Sequence, residues 1–421
     1  MKIVSNAPFP CAPLVWPNRS QGWVFTLVCK ATFSLAPGTS QLAEAQEDIT
    51  SADEHWDDDS NRSLRAPGDL VPFKPRADVL LVGSAHAPQQ VPARSVVARL
   101  IVGEVDKSIE VTLDRWFQPD GSLAEGQRFT RMPLVYERAG GGPDTANPVG
   151  VRAGWADGMG RVRVPNITWP GVTVRAPADF VEPVGFGPLA PGWPSRRERL
   201  GALARSSLPE RWYESHVPDG FDFRYFNAAP PDQQTDFLPP NARLILENLH
   251  PSVPRLVTNL PGLQPVFLVE GRGGAAQPMR ADTLWIDTDR LLCTLTFRAQ
   301  IPMRQRDEPG DVRIWLDGGP SAAAPEAASR PRKSIPPNDE AEAKSTKPGP
   351  PQAMTIADPS LAQAAATGRV LPFQSTPGAA PEAPARPPAP GGRLPFLSAP
   401  ASSLSAPAPA SPAAPPLYAP P

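Results

Sequence analysis

Proline dictates what this chain can build. There are 59 prolines in 421 residues, and each removes a backbone donor and blocks a helix interior. Long helices fit poorly with that density. Short strands joined by turns fit well, because proline is tolerated at strand starts, sheet edges and loops. The distribution also divides the chain. Residues 317–421 hold 25 of the prolines, and most of the remainder there is Ala, Ser and Gly. That segment has no tryptophan, one tyrosine (Tyr418) and two phenylalanines (Phe373 and Phe396). It cannot bury enough apolar surface to offset a chain entropy of about 1–2 kcal/mol per residue. The expectation is a folded part at residues 1–316 followed by a disordered Pro/Ala-rich tail at 317–421.

Within the folded part the hydrophobic period is two. From Trp23 to Leu35, Phe25, Leu27, Cys29, Ala31 and Phe33 alternate with Val24, Thr26, Val28, Lys30 and Thr32. This predicts a half-buried strand with Cys29 as an inert thiol on its apolar face. Further strands are expected at 78–85, 95–102, 108–114, 243–249, 265–270, 283–287, 290–298 and 311–316, with hairpins around Gly103 and Thr288. The best helical candidate runs from Ser195 to Ser206, with a serine cap and Gly201 in its middle. These patterns predict a mainly β fold: antiparallel, sandwich-like β units with long Pro/Gly loops. The length accommodates two such units, split near 160–240.

Charge nearly cancels, with 41 basic against 43 acidic residues, so a basic nucleic-acid footprint is not expected. No run of 18 apolar residues occurs, which predicts no membrane helix. The N-terminus lacks the apolar core of a secretory signal. Three cysteines without a CxxC spacing argue for a reducing, cytoplasmic setting.

No signature of catalysis occurs in a strand–helix context: there is no GxSxG, P-loop, HExxH or GxGxxG. The glycine runs 140–142 and 271–274 precede no helical pattern and read as loops. The acidic stretch 53–59 lacks the glycine and spaced acids of a calcium loop. His55, His86, His216 and His250 are not at ligand spacing. No metal or cofactor is therefore expected. The rival reading is a β-sandwich hydrolase using paired carboxylates such as Asp57, Asp219 or Asp222.

Several stretches then form a series. Met132–Ala139 reads M-P-L-V-Y-E-R-A and is followed by Gly141-Gly142, Asn147-Pro148-Val149-Gly150 and Val164-Pro165-Asn166. Next come Gly185–Trp193 with Arg196, then Val217–Gln234, which ends F-N-A-A-P-P-D-Q-Q. Leu260-Pro261-Gly262 and Asp282–Asp287 close the series. It resembles the domain-of-unknown-function family 2169, found beside bacterial type VI secretion genes, over roughly residues 1–316. Gly140 stands where that family usually has phenylalanine. The resemblance implies an adaptor or chaperone that holds a secreted effector, often one with a PAAR-type tip domain, and helps load it onto the VgrG spike. It supplies no catalytic residues. Tyr136, Arg138, Trp193, Arg224, Tyr225, Phe226 and Asp232 lie in its motifs, as loop-packing or partner-contact residues. Carboxylate–arginine pairs from Asp219, Asp222, Arg224 and Asp232 are expected to order the long loop. In the tail, G-R-V-L-P-F at 368–373 and G-R-L-P-F at 392–396 repeat, and Leu371, Phe373, Leu394 and Phe396 read as short docking plugs.

Overall fold

A computed structural model describes residues 1–317 except 21, 205–207 and 210. The expected tail beyond Asp317, with Leu371, Phe373, Leu394 and Phe396, lies outside the described residues. The main strands, in chain order, are β1 (Lys2–Ser5), β2 (Cys11–Asn18), β3 (Gly22–Ser34), β4 (Ala77–Val82), β5 (Ser95–Val102), β6 (Val105–Thr112), β7 (Arg243–Glu247), β8 (Arg255–Asn259), β9 (Pro265–Val269), β10 (Arg280–Asp287), β11 (Leu292–Met303) and β12 (Asp311–Leu316).

The fold is mainly β, as expected. One six-stranded sheet runs Gln234–Thr235, β4, β10, β11, β3, β2, and a second runs Ile167–Thr168, β6, β5, β7, β8, Gly38–Thr39. A four-stranded sheet has the order β1, β12, β9, Gln277–Pro278. Most neighbours are antiparallel, but β4 lies parallel to β10 and β1 parallel to β12. The inner faces of all three sheets contribute to one apolar cluster. Phe25, Leu27, Phe33, Leu295 and Phe297 enter from the first, Leu100, Ile109, Leu244 and Leu256 from the second, and Phe267 and Ile314 from the third. A division near 160–240 does not cut this core. Strands from before that segment pair with strands from after it, β4 with β10 and β5 with β7.

Two local expectations change. Strand β3 is buried on both faces over residues 24–33, because loops cover the side that the alternation assigns to solvent. The helix expected at Ser195–Ser206 is only Pro194–Arg197, continued by a 3₁₀ turn at Glu198–Leu203. Gly201 breaks it with φ +58°, and a Cβ there would meet the Gly220 carbonyl oxygen at 2.7 Å. The cap is Trp193, without a side-chain hydrogen bond.

Strand β2 carries two prolines and still belongs to the sheet. Lys30 N–H donates to the Pro10 carbonyl at 3.1 Å, which makes 10/30 a hydrogen-bonding pair and 12/28, 14/26 and 16/24 the next ones in register. Pro13 and Pro17 therefore occupy outward-facing edge positions where their missing N–H costs no ladder bond. Among the described residues no helix is long and apolar enough to cross a membrane. Phe297 is fully buried at the centre of the core. Phe297→Ala is expected to cost about 3–5 kcal/mol, read as a lower urea midpoint with unchanged m-value.

Candidate interaction surface

The outer face of the first sheet is covered by loops, and its middle is polar. Asp69 accepts from Lys30 Nζ at 2.9 Å, from Thr296 Oγ1 at 3.1 Å and from Thr50 N–H at 2.9 Å. Arg298 donates to the Asp69 backbone carbonyl at 2.8 Å and to the Asp282 carboxylate at 2.7 Å. Thr283 donates to Asp282 at 3.0 Å and accepts from Lys74 Nζ at 2.7 Å. Lys74 reaches Asp78 at 2.8 Å. Three ion pairs are thus chained across β3, β11, β10 and the start of β4. All six charged side chains are buried, and each has its opposite charge and further hydrogen bonds, as interior charge requires.

The F-N-A-A-P-P-D-Q-Q segment fastens onto the end of that chain. Asn227 Nδ2 donates to Asp78 Oδ1 at 2.8 Å and to the Arg76 carbonyl at 2.7 Å, and Ala228 N–H donates to Asp78 at 2.9 Å. Gln233 is fully buried and donates to the carbonyls of Val79 and Phe186 at 2.8 and 2.9 Å. Lys107 Nζ donates to Gln233 Oε1 at 2.9 Å and pairs with Asp232 at 2.9 Å. Burial pulls the Lys107 ammonium below the usual lysine range, and Asp232 works against that shift. The segment is a latch that fixes the 186–235 loops to strand β4.

The motif residues sort accordingly. Tyr136, Trp193, Tyr225 and Phe226 are buried. Tyr136 donates to the Gly187 carbonyl at 3.1 Å, and its ring meets Trp193 edge-on at 5.0 Å. Burial pushes its hydroxyl up, so it stays a neutral donor. Phe226 packs against Trp212, Phe221 and Tyr225, and Phe223 stacks on Phe73 at 4.5 Å. These rings staple loops. Arg138 bridges Asp114 and Asn166, each at 3.2 Å. The expected carboxylate–arginine pairs prove to be superficial. Asp219 pairs with Arg19 with both side chains exposed, and Arg224, 56% exposed, holds Asp222. Asp232 pairs with a lysine. The buried arginine of the motif series is Arg196, which donates to the carbonyls of Tyr225 and Leu189 at 2.9 and 2.8 Å and stacks over Tyr225. At Gly140 a Cβ would lie 2.2 Å from the Val181 carbonyl oxygen, so a phenylalanine has no room there.

Three exposed apolar residues, all outside the quoted motifs, stand on a side module. Arg115–Phe117 pairs with Leu123–Glu125 and Val162–Val164, and Phe117, Val162, Val164, Val174 and Val181 form its own small core. Trp155 and Phe180, 64% and 65% exposed, and Met159, 71% exposed, stand on its surface. Gly154 N–H donates to the Pro177 carbonyl at 2.7 Å, joining the two loops that carry the rings. Asp157 accepts from the N–H groups of Met159 and Arg161 and pairs with the Arg161 side chain at 2.8 Å. Asp179 accepts from the N–H groups of Arg175 and Ala176. The Arg152 guanidinium lies 5.0 Å from the Trp155 ring centre. The rings are therefore presented on pre-formed loops. The one hint in the sequence was the turn-rich G-W-A-D-G-M-G run at 154–160.

Asp57 is engaged by Arg62, and Asp222 by Arg199 as well as Arg224. Among the described residues no group of three or more His, Cys, Asp and Glu side chains is placed to hold a metal ion. A polar cavity of about 440 Å³ opens beside the ion-pair chain, lined by Lys30, Thr50, Asp69, Trp285 and Thr294 among others. Its Lys30 and Asp69 already satisfy each other.

Fold and surface together define a loop-clad β scaffold bearing a separate, exposed apolar module. The chain belongs to the family described as an uncharacterized protein conserved in bacteria (DUF2169), whose model matches residues 20–298. No curated protein and no solved structure matches the chain.

Asp78→Ala would strand buried Lys74 and release the latch. It is expected to cost about 3–5 kcal/mol in urea unfolding. Arg224→Ala is expected to leave the midpoint nearly unchanged, since that pair faces solvent.

Proposed function

We propose that the chain is a non-enzymatic cytoplasmic adaptor. It binds a secreted effector of a type VI secretion system and helps load it onto the VgrG/PAAR spike. The observation that carries this reading is the Trp155–Met159–Phe180 surface. Exposed rings on pre-formed loops supply contact area with little ordering cost, and Trp, Phe and Met are side chains enriched at protein interfaces. The partner class rests on what the family resemblance implies, a link to type VI secretion genes. The buried latch supports the reading indirectly, because it stiffens the scaffold that carries the side module.

The test is co-purification of the tagged full-length chain with proteins encoded beside its gene. The intact chain is expected to retain an effector. The Trp155→Ala/Phe180→Ala variant is expected to lose it at least tenfold, or about 1.4 kcal/mol, with an unchanged melting temperature. Retention at equal affinity by that variant would remove the surface from the argument. Turnover of a small molecule by the pure protein, abolished by changing one carboxylate, would overturn the adaptor reading.

A further inference from the structure

We propose that Cys11 and Cys29 are a modification site: they form a reversible disulfide that ties edge strand β2 to β3. The two residues are direct partners in the antiparallel register. Because 10/30 is a hydrogen-bonding pair, 11/29 is a non-hydrogen-bonded pair. There the Cα atoms sit about 4.5 Å apart and the side chains approach most closely, within the span a disulfide accepts. The two sulfurs are 2.8 Å apart, so bond formation needs no strand movement. The third cysteine is placed differently. Cys293 lies opposite Phe33 and Ile286, and burial pushes its thiol up to about 12.

Access divides the roles. Cys11 is half-buried and Cys29 fully buried. The hydrogen bond from Cys29 holds the Cys11 thiol below its usual range, while the same contact and burial push Cys29 up. Cys11 is therefore the attacking thiolate. With a low-molecular-weight disulfide of the glutathione type as oxidant, Cys11 Sγ attacks one sulfur and expels the first small thiolate. That thiolate takes up the proton Cys11 lost. Cys29 then gives up its proton and attacks Cys11 Sγ, expelling the second small thiolate, which is protonated in turn. Two protein thiols are oxidised by two electrons and one small disulfide is reduced to two thiols.

The test uses the full chain, equilibrated with oxidised or reduced glutathione, then unfolded and alkylated for intact-mass measurement. The reduced protein is expected to take three labels. The oxidised protein is expected to take one, on Cys293, with a Cys11–Cys29 linked peptide that dithiothreitol releases. Cys293→Ser should retain the link and Cys11→Ser should abolish it. Three labels after oxidation would overturn the proposal. So would a persistent glutathione adduct on Cys11 with Cys29 still free, or chains cross-linked through Cys11.

Discussion

The chain of buried ion pairs on the outer face of the first sheet is what the rest of the molecule leans on. A sheet buried on both faces needs a cover for each. The second sheet supplies an apolar cover for the inner face. Proline-rich loops must cover the outer one, and they bring backbone carbonyls and N–H groups that require partners. A threonine-rich floor with Lys30 and Arg298, joined by Lys74 from the loop before β4, each facing an aspartate, meets that requirement. Asp69 and Asp78 act as the junctions. Each binds a basic side chain and a backbone N–H of a covering loop, Thr50 in one case and Ala228 in the other. Such pairs add little over a well-packed apolar layer, but losing one partner is severe. That asymmetry fixes which loop lies where.

In this arrangement the F-N-A-A-P-P-D-Q-Q run serves an internal role. Asn227 and Gln233 read backbone carbonyls of strand β4 and its neighbours rather than a ligand. The aromatic residues just before them fill the space between the loops and Trp16 of β2. A surface that recognises partners is better placed elsewhere, where side chains can change without loosening the latch. The side module meets that condition: its small core is separate from the main one, and its exposed rings make few demands on either.

Strand periodicity made the sheets legible, because alternation in a stretch such as Ser95–Val102 survives as alternating burial in the structure. It misled in β3, where Thr26, Lys30 and Thr32 looked like a solvent face. Nothing local in a sequence reveals that Pro72, Asp69 and Glu47 from distant loops will bond to them. Strand β2 was hidden for a different reason. Prolines argue against strands in general, and only the register shows that 13 and 17 are harmless positions. The motif aromatics were visible as anchors, but whether an anchor grips a partner or its own chain depends on burial. Tyr225 and Phe226 grip their own chain. Trp155 and Phe180 belong to no motif, and the absence of an apolar pattern around them is the counterpart of their exposure.

Strand β2 ties these layers together. On the outer face its Trp16 lies under the Phe73–Phe223 stack and donates to Thr26. On the inner face its Cys11 touches the main core beside Cys29. Its free edge carries Pro13 and Pro17 at the positions where another chain would otherwise add a strand, a protection that edge strands need. The same strand thus stabilises the aromatic cover, closes the sheet against edge-to-edge pairing, and holds two thiols in contact. A covalent link at 11/29 would fix the start of β2 to β3 on the inner face, at the end of the strand away from Trp16 and the aromatic cover.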